Sequence, residues 1–150
     1  QWIRKVIPHC CIGVDVIVGF PGETEKDFLD TYHFINGLDI SYLHVFTYSE
    51  RANTPAAEML DIVPVEVRRE RNEKLRILSH KKKLAFTAPF LDTIRPVLVE
   101  YSHDTEIMTG FTDNYIKVTL PKDETLVNTV VNVKLLRWDD SFESVVAEVV

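Results

Sequence analysis

The residues best suited to chemistry cluster in one short run. Residues 14–23 read VDVIVGFPGE, an apolar and β-branched stretch that breaks into a Gly-Pro-Gly turn. Glycines at 19 and 22 let backbone approach a ligand closely and permit positive φ, and Pro21 stiffens the turn. Free amides at the start of a following helix would favour an anionic or polar group. A tight strand-to-helix connection with no ligand uses the same residues. The turn has no Gly-Lys-Ser/Thr, which argues against a nucleoside triphosphate. Asp15 is the polar exception in the strand. A carboxylate there needs either a ligand hydroxyl, such as that of a ribose, or a hydrogen bond within the fold.

A second group follows YLHVFTY, residues 42–48, where Tyr48, Ser49 and Arg51 leave a strand end. Arg51 can hold a carboxylate by a bidentate contact, or it is a surface cation. Further on come Arg68, Arg69, Arg71, Lys74, Arg76 and the three lysines 81–83. Such a run is either a solvated helix face, laced by pairs such as Glu70 with Lys74, or a surface for RNA phosphates through Arg68, Arg71 and Lys82. Phe111 and Tyr115 could stack on a base, although core packing is the more ordinary role for Phe111. The five histidines show no ligand spacing. The only cysteines, Cys10 and Cys11, are adjacent and cannot easily chelate one metal together.

Particular elements must position these groups. Residues 12–19 read as a parallel strand covered on both faces. Thr24 is a plausible N-cap with Asp27 completing a capping box. Phe28, Leu29, Tyr32, Ile35 and Leu38 then recur at helical spacing, with Gly37 at the helix end. The strand at 42–48 completes a strand–helix–strand crossover. A long charged helix is expected from Val65 to about Ala88, after Pro64. Beyond Pro89 five short β-rich runs, separated by turn signals near 102–104, 113–114, 121–124 and 139–141, predict a small closed antiparallel barrel. The expected domains are therefore 1–90 and 91–150, with the boundary near 89–94.

Composition narrows the function. Of 150 residues, 45% are hydrophobic and 27% charged, as in a globular protein. The formal charge is −6, but residues 64–90 hold eight Lys/Arg against three Glu. Overall acidity argues against a strong non-specific nucleic-acid binder and leaves room for one basic surface. No apolar run approaches the roughly 18 residues of a membrane span. The start, QWIRKVIPHC, is no signal peptide and has no initiator Met, so the chain reads as part of something longer, and its cysteine usage fits the cytoplasm.

Taken jointly, DVIVGFPGETEKDF, YLHVFTYSERANTPAAEM and VPVEVRRERNEKLRILS, in this order and spacing, resemble the radical-SAM methylthiotransferase family. The stretch with GFTDNYIKV is similar to a TRAM domain, a small OB-like barrel associated with RNA. YLHVFTYS and NYIKV look closest to the branch that adds a methylthio group to threonylcarbamoyladenosine beside the tRNA anticodon. The resemblance implies the last βαβα units of a partial (βα) barrel, followed by TRAM. It implies S-adenosylmethionine against Asp15, Gly19, Phe20, Pro21, Gly22, Phe46, Tyr48 and Arg51, and RNA against Arg68, Arg71, Lys82, Tyr115 and Lys117. It also implies two 4Fe-4S clusters in a parent enzyme, yet the cysteine motifs of both are missing here. Asn53 stands where the family commonly has Gly, and Asn tolerates positive φ. The expectation is an inactive carboxyl-terminal part of a tRNA-modifying enzyme that self-associates. The alternatives are part of a ribosomal-protein methylthiotransferase and a non-catalytic RNA-binding module.

Overall fold

A computed structural model describes residues 2–150. It divides into two compact units: Ile12–Ala85, and Trp2–Cys11 together with Phe86–Val150. The sequence places the break near 89–94 and residues 1–11 with the first part. The structure puts the break inside a helix and groups the first residues with the barrel. The reason is local: in helix α1 (Trp2–Val6) the Arg4 guanidinium lies 5.3 Å from the Phe86 ring centre, and Phe86 packs on the barrel core.

In the first unit, strand β1 (Gly13–Val18) is followed by helix α2 (Glu25–Gly37), strand β2 (Tyr42–Thr47) and helix α3 (Val65–Thr87). The two strands pair in parallel, from Gly13 opposite Tyr42 to Val18 opposite Thr47. Helix α2 begins with the expected capping box. The Asp27 amide donates to Thr24 Oγ1 at 3.2 Å, and the Thr24 amide donates to Asp27 Oδ2 at 3.0 Å. Phe28, Ile35, Leu75 and Leu78 bury one face of the sheet, against Val14, Val16, Val18, Leu43 and Val45. Helix α3 also runs beside the outer edge of β2. Ser79 Oγ accepts from the Leu43 amide at 2.8 Å and donates to the Leu43 carbonyl at 3.0 Å.

The other sheet face corrects the sequence expectation of cover on both sides. Asp15, Ile17, His44 and Phe46 are all exposed. Period-two alternation puts them opposite the buried residues, and both helices lie on the buried side.

In the second unit, β3 (Ile94–Glu100), β4 (Ile107–Thr112), β5 (Lys117–Pro121), β6 (Val130–Trp138) and β7 (Val145–Val149) close a barrel in the order β3-β4-β5-β7-β6. Val97, Val99, Met108, Val118, Leu120, Val133, Leu135 and Val145 fill it. The five strands are as expected, but the barrel is mixed: β5 and β7 pair in parallel. Five strands in a closed ring cannot alternate throughout, so an odd barrel needs a parallel pair. Gly110 allows the close approach of β3, since a Cβ there would lie 2.5 Å from the Leu98 carbonyl oxygen.

Candidate functional site

The turn after β1 is built by its glycines. Gly19 has φ +74° and Gly22 has φ +86°. The Glu23 amide donates to the Phe20 carbonyl at 3.0 Å, and with Pro21 second and Gly22 third this is the arrangement of a type II turn. Of the amides at the start of α2, that of Asp27 is taken by the Thr24 cap, and two amides of the turn itself are also engaged. The Gly19 amide donates to Glu23 Oε2 at 2.7 Å and the Gly22 amide to the Asp61 carbonyl at 2.7 Å. Glu25 and Asp27 already supply negative charge at the start of α2. The Gly19 amide is thus held by an acid of the turn itself.

Two cations expected to meet RNA lie inside this unit instead. Arg68 and Arg71 are 4% and 5% exposed. Arg68 donates from Nε to the Val63 carbonyl at 2.7 Å, from Nη1 to the Tyr48 carbonyl at 3.0 Å, and from Nη2 to Glu50 Oε1 at 2.7 Å. Arg71 Nη1 donates to Glu23 Oε2 at 2.6 Å, and Nη2 to Glu25 Oε2 at 3.1 Å. The Arg68 contact holds the Glu50 carboxyl below its usual range. Lys82 is half-buried and donates to the Asn36 and Leu38 carbonyls at 3.2 and 2.7 Å, so it closes the end of α2; burial pulls its pKa down. The exposed face of α3 mixes Glu66, Arg69, Glu70, Glu73, Lys74 and Arg76, the pattern of a solvated helix. Lys74 and Glu70 pair at 2.8 Å, as their spacing predicts.

The remaining residues of the first group gather at the carboxyl ends of β1 and β2. Asp15 is exposed, and no hydrogen bond reaches its carboxylate among the described residues, so the fold itself provides no partner for it. Ile17 and Phe46 are opposite one another in the register and both are exposed. Phe20 is 45% exposed and meets the Tyr48 ring edge-on, 5.4 Å between centres. Pro21 is buried, and Arg51 is exposed in the loop after β2. Asn53 takes φ +63° there, so the turn survives without glycine. The sequence reading missed Glu23 and Glu50 as the acids that hold the two strand exits. Their signal was an acid five residues past β1 and three past β2.

On the barrel, Phe111 is a correction: it is not in the core but on the outer face, stacked on Tyr115 with ring centres 4.9 Å apart and planes 25° apart. Tyr115 is 61% exposed. Phe111 is opposite Leu98 in one direction and Lys117 in the other, and Leu98 is opposite Val130. Strand register thus lays Val130, Leu98, Phe111 and Lys117 in one outward row. The turn that presents Tyr115 is tied at both ends: Thr112 Oγ1 donates to Asn114 Oδ1 at 2.6 Å, and Arg95 Nη2 donates to Asp113 Oδ1 at 2.6 Å. Cys10 and Cys11 are half-buried, and Cys10 Sγ donates to the Cys11 carbonyl at 3.6 Å. Among the described residues no three His, Cys, Asp or Glu side chains converge on a metal site, and no helix is long and apolar enough to cross a membrane.

No family model matches the chain. Among curated proteins it is 37% identical over 139 residues to a threonylcarbamoyladenosine tRNA methylthiotransferase of Bacillus subtilis, covering 90% of the chain and 31% of that protein. It is 36% identical over 138 residues to a tRNA-2-methylthio-N(6)-dimethylallyladenosine synthase of Symbiobacterium thermophilum, covering 91% and 29%. It is 38% identical over 135 residues to the synthase of that name from Acetivibrio thermocellus, covering 89% and 28%. The chain thus spans under a third of the length of the curated relatives it matches, and the family resemblance read from its motifs holds over nine-tenths of its own length.

Proposed function

We propose that this chain, homologous over most of its length to part of the radical-SAM methylthiotransferases, supplies one wall of the S-adenosylmethionine site and the RNA-holding barrel of such an enzyme. The observation that carries this reading is the 139-residue similarity to a threonylcarbamoyladenosine tRNA methylthiotransferase, which takes in residues of both units. The parent reaction is then methylthiolation of that modified adenosine in tRNA, in the cytoplasm.

The open end of the β1–β2 sheet suits S-adenosylmethionine. A Cβ on Gly22 would meet nothing within 4 Å, so backbone can lie close to a ligand there. Asp15 offers a free carboxylate to ribose hydroxyls, and Ile17, Phe20 and Phe46 offer apolar surface to an adenine. Bound there, S-adenosylmethionine supplies the methyl group and the one-electron chemistry of the parent enzyme. The residues of this chain orient it and shield one side from water. The iron–sulfur clusters do not fit this chain. Two vicinal cysteines cannot offer three separate thiolates, and the clusters are assigned to other parts of the parent protein. Tyr115, stacked on Phe111 and flanked by Lys117, presents an unpaired base with a ring and its phosphate with a cation.

The test is to remove the gene for the whole parent protein, restore it, and measure the nucleosides of digested tRNA by mass spectrometry. Threonylcarbamoyladenosine should lose, then regain, its methylthio derivative. A change confined to dimethylallyladenosine would move the substrate to the second group of relatives. Modification of a ribosomal protein with unaltered tRNA would overturn the reading.

A further inference from the structure

We infer that Arg68 and Arg71 are positioning residues: from α3 they lock the turn after β1 and the exit of β2 into one edge, so S-adenosylmethionine affinity depends on two side chains that do not touch it. The inference rests on the ligand reading above.

The contacts form an unbroken path. Arg71 Nη1 reaches Glu23 twice, at its carbonyl (3.0 Å) and at Oε2 (2.6 Å). The same Oε2 accepts the Gly19 amide at 2.7 Å. Gly19 in turn lies against the stem of Arg68: a Cβ built on it would stand 2.3 Å from Arg68 Cγ. Arg68 then carries the path across to Tyr48 and Glu50, the first and third residues past β2, and its guanidinium lies 5.4 Å from the Tyr48 ring centre. The two strand exits, joined directly where the Tyr48 amide donates to the Val18 carbonyl at 2.9 Å, are held further along by one helix.

Stability alone does not call for these residues. A well-packed apolar side chain of similar volume often does as well as a buried ion pair. What the planar fork adds is simultaneous directional hold on acceptors at Val63, Tyr48 and Glu50, which come from separate positions of the chain. A lysine retains the charge and loses the fork.

The test uses the ¹⁵N-labelled chain, reading the Gly19 and Gly22 amide signals and their response to S-adenosylmethionine. The variants are Arg68→Lys, Arg71→Gln, Arg71→Lys and Glu50→Gln. Glu50 is half-exposed, so its variant keeps the fold while weakening the hold on Arg68. Arg68→Lys, Arg71→Gln and Glu50→Gln should move the Gly19 signal and weaken binding about tenfold, the scale of one charge-assisted hydrogen bond. Glu50→Gln should do so with only a small fall in the thermal midpoint, and Arg71→Lys should return the Gly19 signal part-way. Wild-type affinity and an unmoved Gly19 signal in Arg68→Lys and Glu50→Gln would overturn the inference. If the wild-type chain, as one wall of the site, gives no saturable response, the positioning role is decided by the Gly19 and Gly22 amides, and unmoved signals in Arg68→Lys and Glu50→Gln overturn it, while the ligand reading is decided separately by S-adenosylmethionine binding to the whole parent protein.

Discussion

Tyr115 is aromatic, exposed and held at φ +66°, as Phe142 is at φ +57°, and Tyr115 alone of the two is stacked on a second ring, that of Phe111. A left-handed backbone costs a non-glycine residue roughly 1–2 kcal/mol. The ties at Thr112, Asp113 and Asn114 keep it there. Such strain points to a use for the ring. Tyr115→Ala is expected to weaken binding of an unpaired RNA about tenfold or more, with the salt dependence unchanged, because stacking carries no counterion release. Lys117→Ala should lower the slope of log affinity against log salt by about one. Fluorescence titration at several salt concentrations reads both, and identical slopes in the wild type and Lys117→Ala would remove Lys117 from the interface. The buried arginines show what residue type conceals. Arg68 and Arg71 looked like any cations of a charge run. Their spacing to Leu75 and Leu78 was the missed signal, since 68, 71, 75 and 78 form one helical stripe.

At the scale of elements, the ends matter more than the middles. Helix α2 was expected to stop at Gly37, and it does, but Gly37 is not in a left-handed conformation. The Lys82 ammonium takes the last carbonyls instead, an arrangement that a helix C-terminus favours. Lys82→Met should lower stability by about 1 kcal/mol in a urea titration, whereas substitution of the exposed Lys81 should have no measurable effect. The loop between β6 and β7 hangs on Asp139, whose carboxylate accepts from Ser144 Oγ and Ser141 Oγ at 2.6 and 2.8 Å and from the Glu143 and Ser144 amides. These bonds, Ser144 foremost, hold its pKa far below the ordinary 3.8. A depressed carboxylate adds stability that is present above its unfolded value and is lost as pH falls toward the folded one. Asp139→Asn should therefore lower the melting temperature at neutral pH, and its gap to wild type should shrink as pH drops below about 3.8. A gap constant down to strong acid would refute this.

For the whole molecule, the open side of the first unit is the feature to test. Ile17 and Phe46 are 57% and 52% exposed on one sheet face. The outer edge of β2 is served by Ser79, and Asn72 Nδ2 donates to the Val45 carbonyl at 3.4 Å, while among the described residues no strand pairs with the outer edge of β1. An unpaired parallel edge beside an apolar face invites a second copy. The isolated chain is expected to self-associate through β1, and Ile17→Lys should shift it toward monomer. Light scattering decides the matter: a wild type that stays at 17.3 kDa at high concentration would show the idea to be wrong.

Local chemistry was legible in the linear sequence. The capping box at Thr24, the Gly-Pro-Gly turn, the left-handed Asn53 and the five barrel strands each depend on residues close together in the chain, where spacing is geometry. The motifs that carry the methylthiotransferase resemblance are local in the same sense. Facing was not legible. Whether Arg68 meets solvent or the back of Gly19, whether Phe111 fills the barrel or lies on it, and which side of β1 is covered all depend on partners tens of residues away. The parallel β5–β7 pair was likewise decided by closure, because an odd ring must break alternation somewhere and only the tertiary arrangement selects the place.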